Sequence, residues 1–246
     1  KDNLYESLHR QGFKNSKVFR RQTAFFQPSV FKCWGPSLND IIKNNIKLEI
    51  LMAVAPNNIK ILNAINKLET EKQRQNYLLR EANSIFENSL ELAVRGSYKN
   101  RTRLIRYLYA KGQLELKLSI SCDENKENLS LSHEKIGYFL NDNGDFISFE
   151  GSANESESAL LRNGETVMIF NSNDPNDRET ALKQKKELDE KWLGQDLYSI
   201  VCSPSDEITQ RIKESVDIKD DREFLKVVKE FLDEENISTE EEEEEI

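Results

Sequence analysis

Two apolar runs, IGYFLND (136–142) and DFISFEG (145–151), stand on either side of Asn143-Gly144. Asn-Gly tolerates positive φ, and between two β-forming runs it marks a hairpin with a two-residue loop. The middle of this chain is therefore committed to a pair of antiparallel neighbouring strands. Whatever else forms must pair with that hairpin or pack on its faces.

The flanking sequence supplies both kinds of partner. SKVFRRQTAFF (16–26), IKLEILMAVA (46–55, ended by Pro56), LELKLSISC (114–122), ETVMIFNS (165–172) and LYSIVCSP (197–204) read as strands. Between them lie helical patterns. SVFKCWGPSLNDIIKNN (29–45) is interrupted at Gly35-Pro36, and a long helix is expected over 57–93, with Ile61, Leu62, Ile65 and Leu68 on one face. A second helix spans 101–111 and is ended by Gly112, and a short one covers SESALLRN before Gly164. Asp174 as N-cap and Pro175 at the first helical position open a charged helix that runs past Trp192 to Gly194. Two C-terminal helices, near 205–216 and 220–235, complete the pattern. Strands alternating with helices predict an α/β fold, a mixed β-sheet flanked by helices on both faces. One domain over 1–235 is expected, followed by a disordered acidic tail or linker at 236–246.

That tail accounts for most of the net charge, since −9 falls to −3 without Glu240 to Glu245. The overall acidity therefore says little about whether the folded part meets nucleic acid. The apolar runs are far short of a membrane span, and KDNLYESLHRQGF lacks the apolar centre of a signal peptide, so a cytoplasmic protein without a membrane partner is expected. Cys33, Cys122 and Cys202 are widely spaced and only two histidines are present, which disfavours a zinc site; reduced, partly buried thiols are expected, with no metal and no cofactor. Trp34 and Trp192 read as core, and the alternating charges of DRETALKQKKELDEKW as a solvated helix face with i,i+4 pairs.

Chemistry concentrates around HEK (133–135), which reads as part of a strand. There His133 and Lys135 would project to the same side, about 6–7 Å apart. After the hairpin, Gly151-Ser152-Ala153-Asn154 turns into a helix, a place where backbone N–H groups and the Asn154 amide can receive an anionic oxygen. Glu165 opens the next strand. An imidazole, a lysine, an amide and a carboxylate suit phosphodiester hydrolysis without a metal: the imidazole attacks phosphorus, the donors take up the spreading charge, and the carboxylate fixes the imidazole tautomer. An HxK triplet by itself is common in soluble chains, and its weight comes from the string around it.

HEKIGYF, then GSAN, then RNGE resembles the HxK…GSxN…E signature of the phospholipase D superfamily, most closely its bacterial nuclease branch. RLIRYLYAKGQLELKLSI (103–120) looks like the helix and strand before the HxK strand in restriction-endonuclease-like and helicase-associated members. KWLGQDLYSIVCSP (191–204) is similar to their last helix–strand step, so the motif core covers 101–204. The resemblance implies that His133 is the nucleophilic or acid histidine and Lys135 the phosphate-binding lysine. It likewise makes Asn154, with Ser152, the amide position and Glu165 the carboxylate that orients the histidine. Leu140 stands where the family's pattern often has an aspartate, and Asp142 and Asp145 lie in the hairpin. Members use two HxK motifs per site, and this chain has one. His9, in LHRQ, reads as a surface or helix-packing histidine. The resemblance therefore implies a homodimer sharing one site on its two-fold axis.

RGSYKNRTRLIRYLYAKGQL (95–114) carries six basic residues, Arg95, Lys99, Arg101, Arg103, Arg106 and Lys111, and no acidic one, with tyrosines interleaved. Such a stretch suits DNA, or single-stranded DNA or RNA. It equally suits an amphipathic helix that packs Leu104, Ile105 and Leu108 inward. Arg20 and Arg21 are a weaker candidate and read as plain surface. The function expected is a metal-independent DNA endonuclease of a restriction or antiphage defence system, working through a phosphohistidine, with a fused or associated helicase as a further partner. The alternative is a non-catalytic DNA-binding or dimerisation module of a larger helicase-type protein. A phospholipid-cleaving enzyme fits less well.

Overall fold

The computed structural model describes residues 3–24, 26, 28–53, 99–125, 129–130, 132 and 134–235, with isolated residues between 63 and 84. Most of the expected long helix over 57–93 and the whole acidic tail lie outside the described residues.

A π-helical turn at Tyr5–His9 leads into helix α1 (Arg10–Asn15) and strand β1 (Ser16–Thr23). The second helical stretch is interrupted as expected at Gly35-Pro36: α2 (Phe31–Trp34) passes through a 3-10 turn (Gly35–Ser37) into α3 (Leu38–Lys43). There follow β2 (Lys47–Ala53), α4 (Lys99–Ala110), β3 (Leu114–Cys122), the two-residue β4 (Leu129–Ser130), β5 (Ile136–Asn141), β6 (Phe146–Gly151) and β7 (Val167–Asn171). The chain continues through α5 (Arg178–Trp192), β8 (Ser199–Cys202), α6 (Asp206–Glu214) and α7 (Asp221–Glu235).

The sheet is mixed, in the order β4-β3-β2-β1-β5-β6-β7, with β8 also paired to β3. β1 lies near its middle, parallel to β2 and antiparallel to β5, with Phe19 opposite Phe139 and Arg21 opposite Gly137. The hairpin forms, but its loop is longer than two residues. Leu140 pairs with Phe146, and Asn141 N–H donates to Asp145 O at 2.8 Å. Gly144 N–H reaches back to Asn141 O at 3.2 Å, and Gly144 sits at φ +88°. This is the three-residue loop in which a type I turn is followed by a left-handed residue, a conformation glycine adopts without steric cost. The charged helix also differs at its start. Asp174 accepts from Asn176 N–H and forms a separate turn, and α5 begins four residues later, at Arg178.

Strand alternation sorts the core into two layers. Phe19, Phe139 and Phe149 face the larger layer with Phe13, Trp34, α3, α4, α6 and α7. α7 fits this face because Phe224, Val227, Val228, Phe231 and Leu232 recur at helical spacing. Val18, Leu51, Tyr138 and Phe146 face the other layer, which α5 covers with Ala181, Leu188 and Trp192. Helices thus flank both faces of the sheet. Both tryptophans are core, and the three cysteines are free thiols, two buried and one half-buried. α5 carries the expected i,i+4 pairs, Lys183–Glu187 and Lys186–Glu190 on its outer face and Lys185–Asp189 at its edge against the sheet. No helix of the described residues is long and apolar enough to cross a membrane.

Phe139 sits among the rings of Phe13, Phe19 and Phe149, stacked on Phe19 at a centroid distance of 4.6 Å. Phe139→Ala is expected to cost about 3–5 kcal/mol. Urea denaturation should show a lower midpoint at unchanged slope; an unmoved midpoint would contradict this packing.

Candidate active site at the ends of three strands

The site residues seen in the sequence gather where β5 begins, β6 ends and β7 begins. Lys135 directly precedes β5, and its carbonyl accepts from Gly151 N–H at 3.1 Å, which sets GSAN beside it. Gly151 in turn pairs with Val167, so Glu165 lies at the same end of the sheet. Glycine is required here by contact: a Cβ on Gly151 would lie 2.1 Å from Thr166 O. Ser152 donates to the Glu165 carboxylate and accepts from Thr166 N–H at 3.2 Å, while Asn163 Nδ2 donates to Glu165 Oε1 at 3.2 Å. Asn154 is half-buried, its Oδ1 accepting from the Thr23 hydroxyl at 3.3 Å. Lys135, Ser152, Asn154 and Glu165 are therefore assembled at one end of adjacent strands. His133 lies outside the described residues.

Two local expectations are corrected. β5 starts only at Ile136, so Lys135 belongs to the segment leading into the strand rather than to the strand itself. This segment is tied to β1 by Gln22 Nε2 donating to Ser132 Oγ at 3.3 Å. The GSAN turn also offers fewer open amides than expected. The N–H groups of Gly151, Ser152, Glu155 and Ser156 are bound by Lys135 O, Thr166 O, Thr23 Oγ1 and Asn154 O.

Lys135 is buried, and burial lowers its pKa, helped by the nearby Arg21 charge and opposed by Glu165. A desolvated ammonium attracts an anion more strongly than a solvated one does, because the local dielectric is low. Beside Lys135 a cleft of about 390 Å³ opens toward α5, with Ile136, Met168 and Leu188 on its apolar walls, Glu134, Glu150 and Glu187 as its acids and Lys191 paired with Glu134.

Beneath the turn lies a polar cluster that sequence reasoning missed. His9 is 1% exposed, Arg21 1% and Glu155 0%. Arg21 Nε donates to Glu155 Oε1 at 3.1 Å, His9 Nε2 lies 3.2 Å from the same oxygen, and Arg21 Nη2 donates to Ala153 O at 2.6 Å. His9 is thus the packing histidine rather than a surface one, enclosed by Phe13, Phe19, Phe139 and Phe149. Neither arginine of β1 is plain surface. Arg21 crosses into the core, and Arg20 pairs with Glu49 at 2.7 Å and with Asp189. The available signal was period two: Arg21 falls in phase with Phe19. Burial pushes the Glu155 carboxyl up, but His9 and Arg21 outweigh it and hold it below its ordinary value.

The basic helix is largely neutralised from within. Arg101 is buried and pairs with Glu235, Arg103 pairs with Asp217 at 2.7 Å, and Lys111 with Asp221 at 2.6 Å. Leu104, Ile105 and Leu108 pack inward. For these three cations the packing role is the one observed. Arg106 is half-buried, Lys99 opens α4, and Arg95 lies outside the described residues.

No family model matches the chain, and no curated protein matches it. Among solved structures it is similar to a phospholipase D family member, Nuc, from Salmonella typhimurium, at 14% identity and a TM-score of 0.38, over 80% of this chain and 90% of that one. It is also similar to a phosphatidylserine synthase from Haemophilus influenzae Rd KW20, at 14% identity and a TM-score of 0.41. That likeness covers 85% of this chain and 41% of the synthase.

Because the folded pKa of Glu155 is depressed, its contribution to stability is complete above the unfolded value, about 4.3. That contribution is lost as pH falls through the lower folded value. Thermal melts taken from neutral pH down through the carboxylate range should show an acid limb that Glu155→Gln flattens. An identical acid limb in both proteins would mean that Glu155 is not held ionised.

Proposed function

We propose that the chain is a metal-independent phosphodiesterase acting on nucleic acid, a DNA endonuclease of a restriction or defence system. The observation that supports this reading is the meeting of Lys135, Ser152, Asn154 and Glu165 at the ends of β5, β6 and β7, with the spacing that leads back to His133. An imidazole nitrogen of His133 attacks phosphorus and the bond to the leaving oxygen breaks, while a second imidazolium gives that oxygen its proton. Water then attacks the phosphohistidine, passing a proton to the second imidazole and releasing His133. Lys135 and the Asn154 amide take up the charge on the phosphoryl oxygens.

In this reading a second copy of the chain supplies the second imidazole. His9, the other histidine, is enclosed in the core and bonded to Glu155, out of a substrate's reach. The outer strand β7 adds support: Met168 is 52% and Ile169 47% exposed three and four residues after Glu165, so both faces of this strand present an apolar side chain beside the site. Two copies meeting there would bring their half-sites together.

With plasmid DNA, single-stranded DNA and RNA in EDTA, the wild-type protein should cleave at least one substrate. His133→Ala should fall to background, and Lys135→Ala should fall by about 10²–10³-fold, the loss typical of removing one charge-stabilising donor. Full activity in His133→Ala ends the catalytic reading. Light scattering should give twice the chain mass; an active monomer would refute the shared site.

A further inference from the structure

Three consecutive residues of the turn, Ala153, Asn154 and Glu155, are tied to the end of β1. Arg21 holds the Ala153 carbonyl and, through Nε, the Glu155 carboxylate. The Thr23 hydroxyl makes two bonds at once, accepting Glu155 N–H at 3.3 Å and donating to Asn154 Oδ1 at 3.3 Å. β5 leaves room for this: a Cβ on Gly137 would lie 2.8 Å from Arg21 Cδ and 2.7 Å from Phe149 Cζ. The Arg21 guanidinium also lies over the Phe149 ring, 4.8 Å from its centroid.

We propose that Arg21, Thr23 and Glu155 are positioning residues for phosphodiester cleavage, and that the Thr23 hydroxyl decides which end of the Asn154 amide meets the phosphate. This rests on the phosphodiesterase reading above. A carboxamide has an acceptor end and a donor end, and only the donor end stabilises an anionic phosphoryl group. Thr23, donating to Oδ1, captures the acceptor end on the β1 side, so the amide NH₂ is turned the other way. Without that hydroxyl the amide can flip, and its oxygen would then repel the charge it should stabilise. Glu155 and Arg21 hold the residues on either side of Asn154 and so fix where its side chain starts, while the Thr23 hydroxyl sets the rotation of the amide. A buried ion pair is no better for stability than well-packed hydrocarbon of the same volume, which leaves orientation of the turn as what this pair provides.

The test is steady-state cleavage of bis(4-nitrophenyl) phosphate in EDTA by the wild type, Thr23→Val and Thr23→Ser, with thermal melts alongside. Thr23→Val keeps the volume and loses the hydroxyl, and should lower kcat about 10–100-fold, as displaced catalytic donors do, with KM within about twofold. Thr23→Ser, which keeps the hydroxyl, should recover most of kcat. Wild-type kcat in Thr23→Val, or equal losses in both variants, overturns the inference alone; an inactive wild type overturns the phosphodiesterase reading and this inference with it. Should Thr23→Val not fold, Arg21→Lys carries the test. It keeps a cation against Glu155 but loses the second arm to Ala153, so a lowered kcat at unchanged KM supports the inference and a wild-type kcat overturns it.

Discussion

The Arg21–Glu155 pair is the contact on which the site depends. A guanidinium and a carboxylate with almost no exposure are stable only when each satisfies the other. Arg21 comes from a strand near the middle of the sheet and Glu155 from the turn that carries Asn154, so their mutual need ties the turn to the sheet. Removing one partner alone would leave an uncompensated buried charge, a loss of about 3–5 kcal/mol. His9 completes the arrangement from the N-terminal helical turn, which is thereby bonded to the residue next to Asn154.

β1 distributes its two arginines between the two faces of the sheet. Arg21 goes with Phe19 and Thr23 toward the large aromatic layer. Arg20 goes with Val18 toward α5, where Glu49 and Asp189 neutralise it and the rings of Tyr138 and Trp192 lie 5.7 and 5.2 Å from its guanidinium carbon. Arg101 and Arg103 of α4, and Lys111 just past its end, are handled the same way by carboxylates of the C-terminal segments. Much of the positive charge in the described residues therefore holds elements together. Lys135 differs from these cations in place, since it lies at the cleft where the strand ends open.

Much of the architecture was legible because it depends on local pattern. The hairpin around Asn143-Gly144, the interruption at Gly35-Pro36, the inward Leu104, Ile105 and Leu108, and the i,i+4 pairs of α5 all follow from residue spacing and backbone preference. The start of α5 was misplaced because Asp174 closes a turn of its own, which competes with capping for the same side chain. The grouping of Lys135, Ser152, Asn154 and Glu165 was legible as a motif. The number of turn amides already engaged was not, because the acceptors Thr23 and Thr166 come from other strands.

The sequence by itself determined which segments become strands and helices, since these are set by neighbours within a few positions, and it marked the string from HEK to RNGE as the candidate site. Only the tertiary structure decided what the charges do. Read along the chain, Arg21 looks like a surface residue, His9 like a surface or helix-packing one, and Arg101 like either a phosphate contact or a cation on a packed amphipathic helix. Each is buried because a carboxylate more than a hundred positions away, Glu155 or Glu235, meets it inside the fold. Charge burial depends on a partner in space, and a partner that distant in the chain leaves no local trace in spacing.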